Sequence, residues 1–255
     1  MLISPAKSLV SGIFDLLLPR HCAVTGRPLA PDERGCISAE AARAIRLAAA
    51  DYCSRCGAPQ GPGVGVVSVC GRCKDFKDGF GTSEVVAVGD YEGSLREMCL
   101  ALKFGGARAV ARPLAAWLVA ALIDRGIDKK IDVIAPVPLH AMREFGRGYN
   151  QSALIANQVA KALRKPMLPR LVARTRATER NALLDVPTRR KNVEGAFAVR
   201  KRMAARIKGK SVLVVDDVMT TGATIAEAAR VLTKAGAGDV FAAVAARSTV
   251  GADSA

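Results

Sequence analysis

The sequence predicts an α/β protein: a parallel sheet flanked by helices, behind a small cysteine-rich N-terminal domain. Three observations predict it. Ser211 to Thr224 reads as an apolar strand, a polar turn and a helix start. From residue 81 onward, short β-branched runs alternate with stretches of helical period, the pattern of an α/β domain. Six of the seven cysteines stand before residue 75, four of them as two C-x₂-C pairs.

Taken in order, the chain opens with an apolar stretch, Leu9 to Leu18, interrupted by Asp15. Val10, Phe14, Leu17 and Leu18 lie at helical spacing, so residues 1–20 are expected to form an amphipathic docking helix. No small-residue cleavage site follows and no apolar run reaches a membrane span, which makes the cytoplasm the expected compartment.

Residues 21–80 are expected to form a zinc-ribbon-like domain. Cys53-Ser54-Arg55-Cys56 and Cys70-Gly71-Arg72-Cys73 are two knuckles with thirteen residues between them. Four thiolates at this spacing can close a tetrahedral structural zinc site, with Cys53, Cys56, Cys70 and Cys73 as ligands. Two disulfides are the rival reading, and they fit poorly with a chain that lacks secretory features. Cys22 and Cys36 each begin a knuckle whose second cysteine is missing, and two buried thiols is the reading adopted for them. Cys99, in a helical context, reads as a small core residue. Gly61 to Gly65 reads as a flexible loop between the knuckles.

The cysteines stop around Lys74–Gly81, and a second domain is expected over residues 81–255. Val85–Val88 reads as its first strand, Leu95–Phe104 and Val110–Arg125 as helices, the latter with Leu114, Leu118 and Leu122 on one face. A strand over Asp132–Val137 leads into a basic loop, Arg143 to Gln151, and a helix to about Leu163. Arg143 and Arg147, set among glycines, suit a pyrophosphate group. Leu171 to Phe197 is strongly cationic and shows little periodicity, so it reads as a mobile loop carrying Arg174, Arg176, Arg180, Arg189 and Arg190. A lid over a charged transition state would have this composition, and so would a nucleic-acid-binding arm. Asp239–Arg247 reads as the last strand.

The central stretch lies between them. Val212 to Val215 has the composition of a strand buried on both faces. Asp216 and Asp217 follow, then Val218, Met219, Thr220, Thr221, Gly222, Ala223 and Thr224. From Ile225 a helix is expected, with Thr224 and Glu227 at capping-box spacing and Gly236 as its stop. Backbone N–H groups at a helix start and threonine hydroxyls attract a phosphate, and the two acids suit ribose hydroxyls or Mg²⁺.

This stretch resembles the phosphoribosyl-pyrophosphate (PRPP) signature of type I phosphoribosyltransferases, apolar strand–D-D-x-x-T-T-G-x-T. The resemblance implies a type I phosphoribosyltransferase-like fold. It implies that Asp216 and Asp217 hold the ribose, that Val218 to Thr224 cup the 5′-phosphate, and that Mg²⁺ accompanies PRPP. The whole chain resembles the ComF competence-protein family, on the cysteine knuckles together with three further groups. These are Arg143, Arg147, Gly148, Tyr149, Asn150 and Gln151; Arg174, Thr175, Arg176 and Thr178; and Asn192, Gly195, Ala196 and Phe197. That resemblance implies handling of single-stranded DNA during natural transformation, with a competence-machinery protein as a further partner. Two features depart from the family pattern: the first two knuckles are reduced to Cys22 and Cys36, and Asn181 stands where the mobile loop usually carries Gln.

The chain has 255 residues and a net charge of +15, which fits polyanionic partners and fits equally a solvated basic surface. Three readings follow. One is a Mg²⁺–PRPP-dependent enzyme in which Asp216 and Asp217 orient ribose and Arg143 and Arg147 receive pyrophosphate. Another is a zinc-ribbon module for single-stranded DNA, with PRPP as an effector or a vestige. The last is a scaffold whose zinc domain docks another protein.

Overall fold

In a computed structural model the chain is described for residues 20–45, 47, 50–74, 76, 79–176 and 186–248, with residues 186, 187, 189 and 190 described by their backbone alone. Residues 1–19 of the expected helix, Thr178, Arg180, Asn181 and the side chains of Arg189 and Arg190 therefore lie outside the described residues.

A short helix, α1 (Ala39–Arg43), starts on Ser38, whose hydroxyl accepts from the Ala41 N–H. The two knuckles carry β1 (Tyr52–Cys53) and β2 (Val66–Val67), paired in parallel. The main part of the chain then runs β3 (Glu84–Asp90), α2 (Gly93–Phe104), α3 (Ala111–Asp124), β4 (Val133–Pro136), α4 (Ala141–Arg147) and α5 (Gln151–Leu163). It continues through β5 (Val172–Arg174), α6 (Val186–Val193), β6 (Phe197–Val199), α7 (Lys201–Ala204), β7 (Val212–Met219), α8 (Ala223–Lys234) and β8 (Val240–Arg247).

Four strands form one parallel sheet in the order β3-β8-β7-β4. Successive side chains of a strand point to opposite faces, and each face here has its own core. Leu213 and Val215 join Val86, Ile134 and Phe241 under α2, α3 and α5. Val212 and Val214 join Val85, Val133 and Val240 on the other face, under α8 and the knuckles. The four knuckle cysteines are buried in this second core. The Val85 N–H donates to the Ser54 carbonyl at 2.9 Å. Gly57, at φ +72°, lets the first knuckle sit directly on β3: a Cβ there would lie 3.1 Å from both Ala87 N and Val85 O.

Three expectations need correction. The basic segment Arg143–Gln151 is not a loop, because its first half is the C-terminal part of α4. Its helical period is hidden because Met142 and Phe145 face solvent and α4 buries no residue. Leu171–Phe197 is not unpatterned: β5 and β6 pair antiparallel at its two ends, and α6 leads into β6. The capping box at Thr224 does not form. Gly222 takes the N-cap position without a side-chain cap, and Glu227 accepts from the Gly195 N–H at 2.9 Å and from Arg230 Nε at 2.7 Å. Among the described residues no helix is long and apolar enough to cross a membrane.

Candidate functional site

β7 is an interior strand, and it runs on through both acids to Met219. Ligands of open parallel sheets bind beyond the carboxyl ends of the strands. A cavity of about 950 Å³ opens at that place, lined by Asp216, Asp217 and the turn through Thr224 from one side. Arg143 and Arg147 of α4, Arg174 at the end of β5, and Lys103 of α2 line it from the others. Of the described residues that the sequence designates for a phosphate–sugar ligand, all but one line this cavity. The exception among those described is Arg176, whose guanidinium donates to the Glu194 carbonyl at 2.7 Å, near the end of α6.

The two acids are buried and differently supported. Asp216 Oδ1 accepts from Ser152 Oγ at 2.7 Å and from the Asp217 N–H at 2.9 Å. Asp217 Oδ2 lies 3.0 Å from Lys103 Nζ, and its Oδ1 accepts from the Val218 N–H at 2.9 Å. Burial, reinforced by the neighbouring Asp217 charge, pushes the Asp216 carboxyl up to about 7. Burial disfavours the Lys103 charge, yet the Asp217 carboxylate outweighs it and holds that ammonium above its usual range. Burial, aided by Arg143, brings the Arg174 guanidinium down to about 10, with Asp216 opposing.

Gly222 stands at φ +80°, so the turn from Thr220 to Ala223 reaches the helix start through the left-handed region. Thr221 Oγ1 accepts from the Ala223 N–H at 3.4 Å. The N–H groups that open the first turn of α8 form the positive end of its dipole. The turn is held from beneath by Arg247 at the end of β8. Its guanidinium donates to the carbonyls of Met219 at 2.9 Å, Ser248 at 2.6 Å, and Thr220.

Several of these supports carried no sequence signal. Ser152, Lys103 and Arg247 act over separations of 64, 114 and 28 residues from their partners, and none sits in a recognisable motif. The N-x-x-type cap at Asn150 did carry one. Asn150 Oδ1 accepts from the Ser152 N–H at 3.0 Å, starting α5, while Nδ2 donates to the Val137 carbonyl at 2.9 Å. Asn150 thereby fixes where Ser152 meets Asp216. Tyr149 is a structural pin: its hydroxyl donates to the Leu102 carbonyl at 2.6 Å.

A second centre lies in the knuckles. The thiol sulfurs of Cys53, Cys56, Cys70 and Cys73 all lie within 4.8 Å of one another. The Cys53–Cys73, Cys56–Cys70 and Cys70–Cys73 separations are 3.7, 3.6 and 3.9 Å. Four sulfurs placed tetrahedrally around a metal at about 2.3 Å stand about 3.8 Å apart, whereas a disulfide needs about 2.05 Å. The cluster fits a metal ion and does not fit two disulfides. Hydrogen bonding from Cys56 brings the Cys53 thiol down to about 5, while that bond and burial push Cys56 up, and burial pushes Cys73 up to about 11. Four buried sulfurs this close together suit a metal ion, which would hold them as thiolates. Cys22 is buried and Cys36 partly so, and among the described residues they belong to no group of three potential ligands.

The cavity at the strand ends, its hydroxyl-rich turn and its paired acids define a protein of the phosphoribosyl transferase class, and the family model of the phosphoribosyl transferase domain matches residues 149–253. The chain is 33% identical over 230 residues to the DNA utilization protein YhgH of Salmonella typhi, covering 88% of this chain and 96% of the relative. It is 31% identical to competence protein F of Haemophilus influenzae over 74% of this chain and 81% of that one. It is 27% identical to competence protein ComFC of Bacillus subtilis, covering 82% of this chain and 81% of that one. The chain belongs to the ComF competence-protein family.

Proposed function

We propose that this protein binds Mg²⁺–PRPP, or a related phosphorylated ribose, at the end of β7 and uses that site in DNA uptake. One observation carries the reading: Asp216, Asp217 and the Thr220–Thr224 turn open on the same cavity as Arg143, Arg147 and Arg174. The first turn of α8 and the threonine hydroxyls would take the 5′-phosphate. The two carboxylates would accept from the ribose hydroxyls, with Lys103 and Ser152 fixing them. The arginines would face the pyrophosphate, whose charge Mg²⁺ would share. The four cysteines would hold a structural zinc.

The pH dependence of this site tests the reading. A carboxyl pushed up to about 7 is protonated in much of the ligand-free population at pH 6, and only the ionised form is a full acceptor for two hydroxyls. Native Asp216 holds its proton more tightly than the unfolded chain does, so its contribution to folding stability is present at low pH and is lost as pH rises through 7. Ligand affinity runs the opposite way. Calorimetric titration with Mg²⁺–PRPP should give an affinity that climbs from pH 6.5 to 8, by up to about tenfold per pH unit below the transition. An affinity that falls over this range counts against Asp216 as the ribose acceptor.

A nucleic-acid role is favoured by the mouth of the cavity. Phe104 and Met142 are 74% and 78% exposed there, and Phe145, elsewhere on α4, is 91% exposed. Arg147 lies 5.3 Å from the Phe104 ring centre. Exposed aromatics interleaved with arginine are what single strands stack upon, at roughly 1–3 kcal/mol per base. Replacing Phe104 and Phe145 by alanine should weaken binding of a labelled single-stranded oligonucleotide at least about tenfold without changing the slope of log affinity against log salt. An unchanged affinity would place the strand elsewhere.

A further inference from the structure

The turn that begins α8 is backed by a side chain from the cysteine segment. A Cβ at Gly222 would overlap Cε1 of Phe80 and lie 2.6 Å from both Phe80 Cδ1 and Met219 Cε. Phe80 is only 2% exposed, so its ring is enclosed where it meets the turn. That ring packs on Phe76, centroid to centroid at 5.0 Å. Phe76 in turn is tied to both knuckles: its N–H donates to the Cys73 carbonyl at 3.1 Å, and its carbonyl accepts from Arg55 Nη1 at 3.1 Å.

A second path runs along the sheet. Arg72, between Cys70 and Cys73, pairs with Asp90 at the end of β3. Asp90 is in register with Arg247 of β8, the residue whose guanidinium holds the Met219 and Thr220 carbonyls. Two independent chains of packed and hydrogen-bonded groups therefore connect the four thiols to the same turn, one through Phe80 and one through Asp90 and Arg247.

We propose that Phe80 is a positioning residue for the phosphate-binding turn, and that metal binding at the four cysteines is coupled through it to ligand binding at Thr220–Thr224. The proposal rests on that turn being a phosphate–sugar site, as argued above. With the metal in place the Cys73 backbone is fixed, and with it Phe76 and Phe80. A ring pressed against a residue that has no Cβ leaves the turn no slack, because close-packed interiors transmit small displacements. Freed from the metal, the second knuckle releases Phe76, Phe80 gains room, and the N–H groups of the turn no longer converge on one anion. Coupling of this kind is reciprocal: whatever factor the metal adds to ligand affinity, the ligand adds to metal affinity.

Ribose 5-phosphate is the probe, because it lacks the pyrophosphate that would itself draw zinc from the protein. Zinc-loaded protein is mixed with a chromophoric chelator, and the release rate is followed with and without saturating ribose 5-phosphate. The expected result is release slowed by about fivefold or more, the lower end of usual allosteric couplings. The Phe80→Leu variant keeps an apolar side chain but loses the ring. It should still carry one zinc per chain and lose most of the slowing, whereas the Val66→Ala variant, changed at an exposed site on β2, should keep it. The proposal is overturned if protein shown by calorimetry to bind ribose 5-phosphate releases zinc at the same rate with and without it. It is overturned equally if ribose 5-phosphate slows release from Phe80→Leu as much as from wild type. Calorimetry that finds no binding of ribose 5-phosphate to the wild type overturns the ligand site itself, and the coupling with it.

Discussion

Replacing Lys103 with methionine is expected to remove about 3–5 kcal/mol of folding stability at pH 8, because it strands a buried carboxylate without its cation. Lys103 Nζ stands 3.0 Å from Asp217 Oδ2, and Asp217 is buried. Methionine fills much the same volume, so packing is nearly kept and the electrostatic loss dominates. Without the ammonium, the buried Asp217 carboxylate is left with no cation beside it. Urea unfolding of the variant and the wild type at pH 8 measures this directly. Removing both charges together, as Lys103→Met with Asp217→Asn, should recover much of the loss, since no unpaired charge remains. A Lys103→Met protein as stable as wild type at pH 8 would show that the buried Asp217 carboxylate does not depend on the Lys103 ammonium.

Loss of the proposed metal is expected to have an effect of similar or greater size. Structural zinc contributes on the order of 10 kcal/mol in small zinc-dependent domains, while whole domains are stable by about 5–15 kcal/mol. Here the cysteines are part of the core beneath β3, alongside Val85, Ala87 and Val244. Replacing Cys56 by serine should therefore abolish stoichiometric zinc in a metal assay and lower the melting temperature of the whole chain. A local effect confined to the knuckles is not expected. A metal-free protein that melts at the wild-type temperature would contradict this integration.

The parts of the fold legible in the sequence are those in which one short segment carries the whole signal. Val212–Val215 followed by the acids and threonines marked the strand and the turn, and the two C-x₂-C pairs marked the four clustered thiols that could hold a metal. Leu114, Leu118 and Leu122 marked α3 because its buried face is regular. What was not legible depended on distant partners. Glu227 reads as half of a capping box, but its carboxylate meets Gly195 and Arg230, and the cap position goes to Gly222, which alone tolerates the left-handed backbone there. The helix α4 was missed because it lies on the surface and buries nothing, so its hydrophobic pattern has no period to read. Phe80 belongs to no motif that the sequence shows. Only the folded chain places it against Gly222.

The central claim is that Asp216 and Asp217, with the turn that follows them, form a PRPP site. The measurement that tests it most directly is calorimetric titration of Mg²⁺–PRPP into the zinc-loaded protein beside the Asp216→Asn, Asp217→Asn variant. Each hydrogen bond from a hydroxyl to a charged group contributes about 1.5–3 kcal/mol, so loss of both charges should weaken binding at least about 100-fold. Saturable binding by the wild type that disappears in a folded variant is the result this account predicts. Equal binding by both proteins, or none by either, would contradict it.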